Sequence, residues 1–151
     1  MGNLKNYKLG FDLWGLGLFL LIMLPNFVWF AVPAPNDVLR RESVTPLVDA
    51  IAQVFQAVMA AALCAVVNTA RDNPVKRGYL AGTAACAALY FAGWIAYYAG
   101  IANAVVILAL CLAPCGAFLV FALGRKNGIA LVSGGIFALC HLIFSIVNFL
   151  L

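Results

Sequence analysis

Charge is what this chain has least of. It carries 9 Lys or Arg, 5 Asp or Glu and a single histidine in 151 residues. An average soluble domain has about a quarter of its residues charged, so a hydrated surface over a soluble globule of this size is excluded. Polar connections are equally scarce: the longest, Pro33–Pro46, leaves no room for a separate water-soluble domain. There is no Cys-x-x-Cys pair, no glycine-rich phosphate loop and no cluster with metal-ligand spacing. Neither a cofactor nor a metal is therefore expected, nor a catalytic site. The net charge of +4 comes from cations scattered in ones and twos, which gives no footprint for nucleic acid.

What the chain has in quantity is uninterrupted apolar sequence. Hydrophobic residues make up 66%. Four runs contain no Asp, Glu, Lys or Arg: Leu13–Asn36, Ala50–Ala70, Gly78–Gly124 and Asn127–Leu151. A helix rises ~1.5 Å per residue and the hydrocarbon is ~30 Å thick, so about 20 apolar residues cross once. Three runs are one crossing long and the third in order is long enough for two. The expectation is an all-α integral membrane protein, a single transmembrane domain over residues 1–151. Its five transmembrane helices fall at about 11–32, 47–68, 79–100, 101–123 and 128–150. The division of the long run is placed at Gly100–Asn103, after the aromatic cluster Trp94, Tyr97 and Tyr98. Thr45 and Pro46 read as an N-cap and first helical position. Gly124 and Gly128 bracket a tight turn. The first apolar run exceeds a signal-peptide core, so no cleaved leader is expected.

Cations orient the bundle. With the N-terminus cytoplasmic, Lys5, Lys8, Arg71, Lys76, Arg77, Arg125 and Lys126 lie inside, and only Arg40 and Arg41 outside. This predicts a cytoplasmic N-terminus and an extracytoplasmic C-terminus. A prokaryotic cytoplasmic (inner) membrane suits the compact loops.

Polar residues within spans carry the functional signal, because hydrocarbon penalises them unless they face one another or a wet cavity. Asp49, Gln53 and Gln56 share a face of the second helix, and His141, Ser145 and Asn148 share a face of the fifth. Asn26 stands beside Pro25 on the first. In the orientation above all seven fall in the outer half of the membrane. They describe a ligand-binding pocket between helices 1, 2 and 5 that opens outward and ends near the midplane. Asp49 would supply charge or a proton site, the amides hydrogen bonds and His141 a titratable floor. The competing reading makes the same residues helix-to-helix glue in an accessory or scaffold subunit. A third, an acid–base enzyme built on Asp49 and His141, lacks a nucleophile.

The remaining features read as packing or lipid contact. Trp29, Phe30, Tyr90, Trp94, Tyr97 and Tyr98 suit an interfacial aromatic belt. Arg40 and Arg41 suit lipid phosphates. The five cysteines read as small apolar packers. Gly78, Gly82, Cys86, Gly93 and Gly100 give helix 3 a small-residue side for close packing, within the chain or in a homo-oligomer. Membrane lipids and a small-molecule ligand are the expected partners. Pro25 and Pro114, in spans of inverted orientation on either side of helix 3, are a pattern shared with transporters. In size and helix count alone the chain is similar to the tryptophan-rich sensory or translocator proteins. Their aromatic- and proline-rich motifs find no counterpart here, and the segment Leu24–Asn36, LPNFVWFAVPAPN, assigns no family.

Overall fold

The charge-free runs become helices. The computed structural model describes residues 4–151. It holds α1 (Leu13–Ala31), α2 (Pro46–Ala65), α3 (Arg77–Tyr98), α4 (Ala104–Gly124) and α5 (Gly128–Phe149). All five are long and apolar enough to cross a membrane. Their outward faces are bare hydrocarbon: Leu20, Phe27, Val54, Ile95, Val105 and Leu139 are each at least half exposed. Water would penalise that surface and lipid does not, so the chain is an integral membrane helical bundle.

The helices form a ring in the order α1–α2–α5–α4–α3. Packing is extensive between α3 and α4, between α2 and α5, and between α4 and α5, whereas α1 touches its neighbours lightly. The tightest approach of α1 is at Gly15, where a Cβ would overlap the backbone carbonyl of Leu63 on α2. The small-residue side of α3 is used inside the chain: Gly82 faces Val120, Gly93 faces Leu110, and Cys86 sits against Gly116, all on α4.

Span ends depart from expectation where polar groups intervene. Phe11 and Asp12 precede α1 instead of joining it, because the Asp12 side chain accepts from the backbone N–H groups of Trp14 and Gly15 as an N-cap. Helix α2 stops at Ala65. Val66–Asn68 then forms a strand, β2, which pairs antiparallel with β1 (Tyr7–Leu9). Pro46 opens α2 as expected, but the Thr45 side chain makes no capping bond. It accepts instead from the Asn148 amide at 2.7 Å.

The same device terminates α3 and α4. Ile101 N–H bonds to Ala96 C=O and Gly100 N–H to Tyr97 C=O, with Gly100 at φ +88°. Asn127 N–H bonds to Ala122 C=O and Lys126 N–H to Leu123 C=O, with Lys126 at φ 53°. Each is a Schellman cap, which needs one left-handed residue. Glycine meets the need after α3. After α4 a lysine does, held there because its carbonyl accepts from the Asn68 amide at 2.7 Å and its ammonium lies 3.0 Å from Asp72. Gly124 serves packing and not the turn: a Cβ there would press on Tyr79 and Val75.

This end of the ring, the arginine end, is sealed by a buried ion cluster. Asp12 Oδ2 accepts from Arg125 through both Nε (2.6 Å) and Nη2, and from Arg71 Nη1 at 2.9 Å. Asp12 and Arg125 are each about 95% buried. The buried Asn127 amide adds two bonds, to the carbonyls of Ala62 and Val66. The cluster thus joins the start of α1, the segment after α2 and the end of α4. Removing one partner from a buried pair strands the other and costs about 3–5 kcal/mol. Asp12→Asn is therefore expected to lower the midpoint of thermal unfolding in detergent steeply. A variant as stable as the parent would show that the cluster holds nothing together.

Candidate functional site

At the opposite end, the loop end, the ring does not close on itself. A cavity of about 530 Å³ lies inside it, in the halves of the helices away from the arginine cluster. Its wall includes six of the residues expected from sequence: Asn26, Asp49, Gln53, Gln56, His141 and Ser145. Asn148 does not line it. That side chain ties the segment before α2 to α5, accepting from Val44 N–H at 2.6 Å and donating to Thr45 Oγ1 and to the Phe144 carbonyl.

The pocket expected between three helices has five walls. Sequence reasoning missed α4, which contributes Ile107, Leu110, Cys111, Pro114 and Phe118. With no polar stripe to mark its inner face, that helix gave no signal. It also missed the inward aromatics of α3. Tyr90, Trp94 and Tyr97 are 3%, 6% and 0% exposed, so they do not form a lipid-facing belt. They pack edge to face in series, Tyr90 on Trp94 and Trp94 on Tyr97. The buried phenols bring their polar ends to partners: Tyr90 Oη accepts from the Asn26 amide at 2.9 Å, and Tyr97 Oη donates to Asp37 at 3.0 Å. Trp94 Nε1 is buried beside Tyr90, with no acceptor in hydrogen-bonding geometry among the described residues.

The polar lining divides into two kinds. Asn26 also donates to the Ile22 carbonyl at 3.3 Å, and Ser145 is buried at the α4–α5 contact beside Cys111. These two are structural as well as exposed to the cavity. The side chains of Asp49, Gln53, Gln56 and His141 make no hydrogen bond or ion pair to another described residue. Gln53 is exposed, while Asp49, Gln56 and His141 are half-buried. His141 is stacked between Phe137 and Phe144, at ring separations of 5.1 Å and 6.2 Å. Across the cavity it interacts electrostatically with Asp49. All five cysteines are free thiols, and the described residues include no cluster that would hold a metal ion.

The rim of the cavity is built on Asp37, in the connection between α1 and α2. Its carboxylate accepts from Trp29 Nε1 (2.8 Å), Tyr97 Oη (3.0 Å), Arg40 Nε (2.6 Å) and Ala34 N–H (3.3 Å). Arg40, expected at lipid phosphates, is instead folded over the Trp29 ring at 4.7 Å and donates to the Trp29 carbonyl. The short 3-10 turn Val38–Arg40 thereby drops Leu39 onto the cavity, with Leu39 N–H bonded to Tyr97 Oη. The Asp–x–x–Arg spacing was the available clue, since such pairs meet across one turn.

Comparison with protein-family models, curated proteins and solved structures gives no match.

Burial alone would raise the Asp37 pKa, but the bonds from Trp29, Arg40 and Tyr97 outweigh it and hold the group below the ordinary 3.8. A depressed carboxylate stabilises the fold above its unfolded pKa and loses that contribution as pH falls through the folded value. The 33–45 segment should stay anchored at neutral pH and loosen only once pH drops below about 3.8. Hydrogen exchange of that segment across an acid titration reads this directly. Loosening that is already complete at pH 6 would refute the anchor.

Proposed function

We propose that this chain binds a small, partly apolar solute in the ring cavity and carries it across the membrane. The observation that supports the reading best is the set of unengaged side chains. Gln53, Gln56, Asp49 and His141 gain nothing from their position as helix glue, because none bonds to a neighbouring helix. Polar groups placed in a membrane without internal partners incur a cost that a hydrated cavity or a polar ligand offsets. The volume is within the ~300–1,000 Å³ usual for small-molecule sites, and the mixed aromatic and amide lining suits an amphiphile.

The scaffold reading draws on a different set. Asn148 and Asn127 do tie separate parts of the chain together. The two readings separate on Gln53→Leu with Gln56→Leu. On the binding reading the double variant keeps its thermal midpoint within a few degrees and loses solute affinity by roughly ten-fold or more, ~1.4 kcal/mol. On the scaffold reading it unfolds. Proteoliposome uptake should fall comparably in Asp49→Asn and His141→Ala, and uptake indifferent to both would dispose of the transport assignment.

The proposed orientation keeps the arginine end cytoplasmic, with Lys8, Arg71, Arg77, Arg125 and Lys126 near that surface. The cavity then opens outward, and the membrane is a prokaryotic inner membrane. A reporter fused after Leu151 should signal from the extracytoplasmic side. Cytoplasmic signal would invert the whole assignment.

A further inference from the structure

We propose that the solute is an organic cation, an ammonium joined to an aromatic or aliphatic body. The inference rests on the binding reading above and narrows it to a charge class. Among the described residues no Lys or Arg lines the cavity, and its one carboxylate, Asp49, has no ion-pair partner. Of the two arginines in the rim segment, Arg41 is exposed and does not line the cavity, and Arg40 is already committed. Its Nε is on Asp37, its Nη2 on the Trp29 carbonyl, and its face lies on the Trp29 ring. Arg40 therefore does not pair with Asp49, whose electrostatic neighbours are the His141 imidazole and the amide end of α2. A carboxylate facing a cavity lined by apolar and aromatic side chains attracts a cation and repels an anion.

The apolar lining points the same way. Trp29, Tyr90, Trp94, Phe137 and Phe144 all border the cavity, and aromatic faces are electrostatically negative. Arg40 over Trp29 is an instance, within this chain, of a cation settling on one of these rings. Helix ends add a smaller contribution of the same sign. α1, α3 and α5 finish at the loop end, whereas only α2 and α4 begin there, so carbonyl termini outnumber amide termini. The free amides of Gln53 and Gln56 would then receive a neutral hydrogen-bonding group, and the cavity volume leaves room for one ring.

The test uses the full chain in phosphatidylcholine nanodiscs, with quenching of tryptophan fluorescence as the readout, since Trp29 and Trp94 line the site. Three probes share one skeleton and differ in head group: phenylbutylammonium, phenylbutanol and phenylbutyrate. Signals from empty nanodiscs remove simple partitioning. The ammonium should bind about ten-fold more tightly than the alcohol, with the carboxylate weakest. Asp49→Asn should bring the ammonium down to the alcohol's affinity and leave the alcohol unchanged. Asp49→Glu, which keeps the charge, should preserve the preference. If the alcohol or the carboxylate binds as tightly as the ammonium, or if Asp49→Asn keeps the preference, the cation assignment is wrong and the cavity reading survives. If none of the three gives saturable quenching, the cavity reading falls as well.

Discussion

Lipid supplies no hydrogen bonds, so each polar group carried below the membrane interface has to be answered from within the chain or by something held in it. The arginine end meets that requirement from inside. Asp12 takes two arginines and two backbone amides, Asn127 donates to two carbonyls, and Asn68 supports the left-handed Lys126. The loop end meets it only in part. Asp37 is saturated by Trp29, Tyr97, Arg40 and a backbone amide, yet the side chains of Asp49, Gln53, Gln56 and His141 make no hydrogen bond or ion pair to another described residue. One bundle thus has a closed end and an unanswered one.

The difference follows from where the helices touch. Gly15 lets α1 meet the backbone of α2 at Leu63, and the small residues Gly82, Gly93 and Gly116 let α3 lie against α4. Past Gly15, α1 has no comparable small residue facing α2. Bulky Met23, Trp29 and Phe30 border the cavity instead. Aromatic side chains of α1 and α3 hold the ring open where glycine would have let it collapse. The free space is a product of side-chain size, and so is its location.

Much of this was legible in the sequence, for identifiable reasons. Charge-free length alone set the number of helices, and the aromatic cluster Trp94, Tyr97 and Tyr98 marked the break in the longest run at Gly100, which the structure shows in a left-handed conformation. The i, i+3/i+4 stripes on α2 and α5 pointed at residues that do border one cavity, apart from Asn148, whose amide is taken up by Thr45 and Val44. What was not legible depended on contacts between distant parts of the chain. Asp12 meets Arg125 across 113 residues, and nothing local to either marks the pairing. Lys126 in a glycine's conformation makes sense only once Asn68 is seen to hold it. The aromatics of α3 have the composition of an interfacial belt. Their inward direction is settled by Asp37 and Asn26, on another part of the chain.

Binding and transport ask different things of the arginine end. A cavity that opens at the loop end can fill and empty with the Asp12 cluster intact. Carriage across the membrane requires a second opening, and on this geometry it would have to part α1 from α4 where Asp12 holds Arg125. Stranding a buried charge costs several kcal/mol, which is more than a weakly bound solute could supply by preferring one state over the other. A transport cycle would have to keep Asp12 paired as Arg125 separates from it, and Arg71 is placed to do so. It already shares Asp12, and it is about a quarter exposed where Arg125 is almost fully buried. If Arg71 keeps Asp12 while Arg125 reaches water, the gate opens without leaving Asp12 bare. The second arginine then has a reason to be there that a static seal would not require.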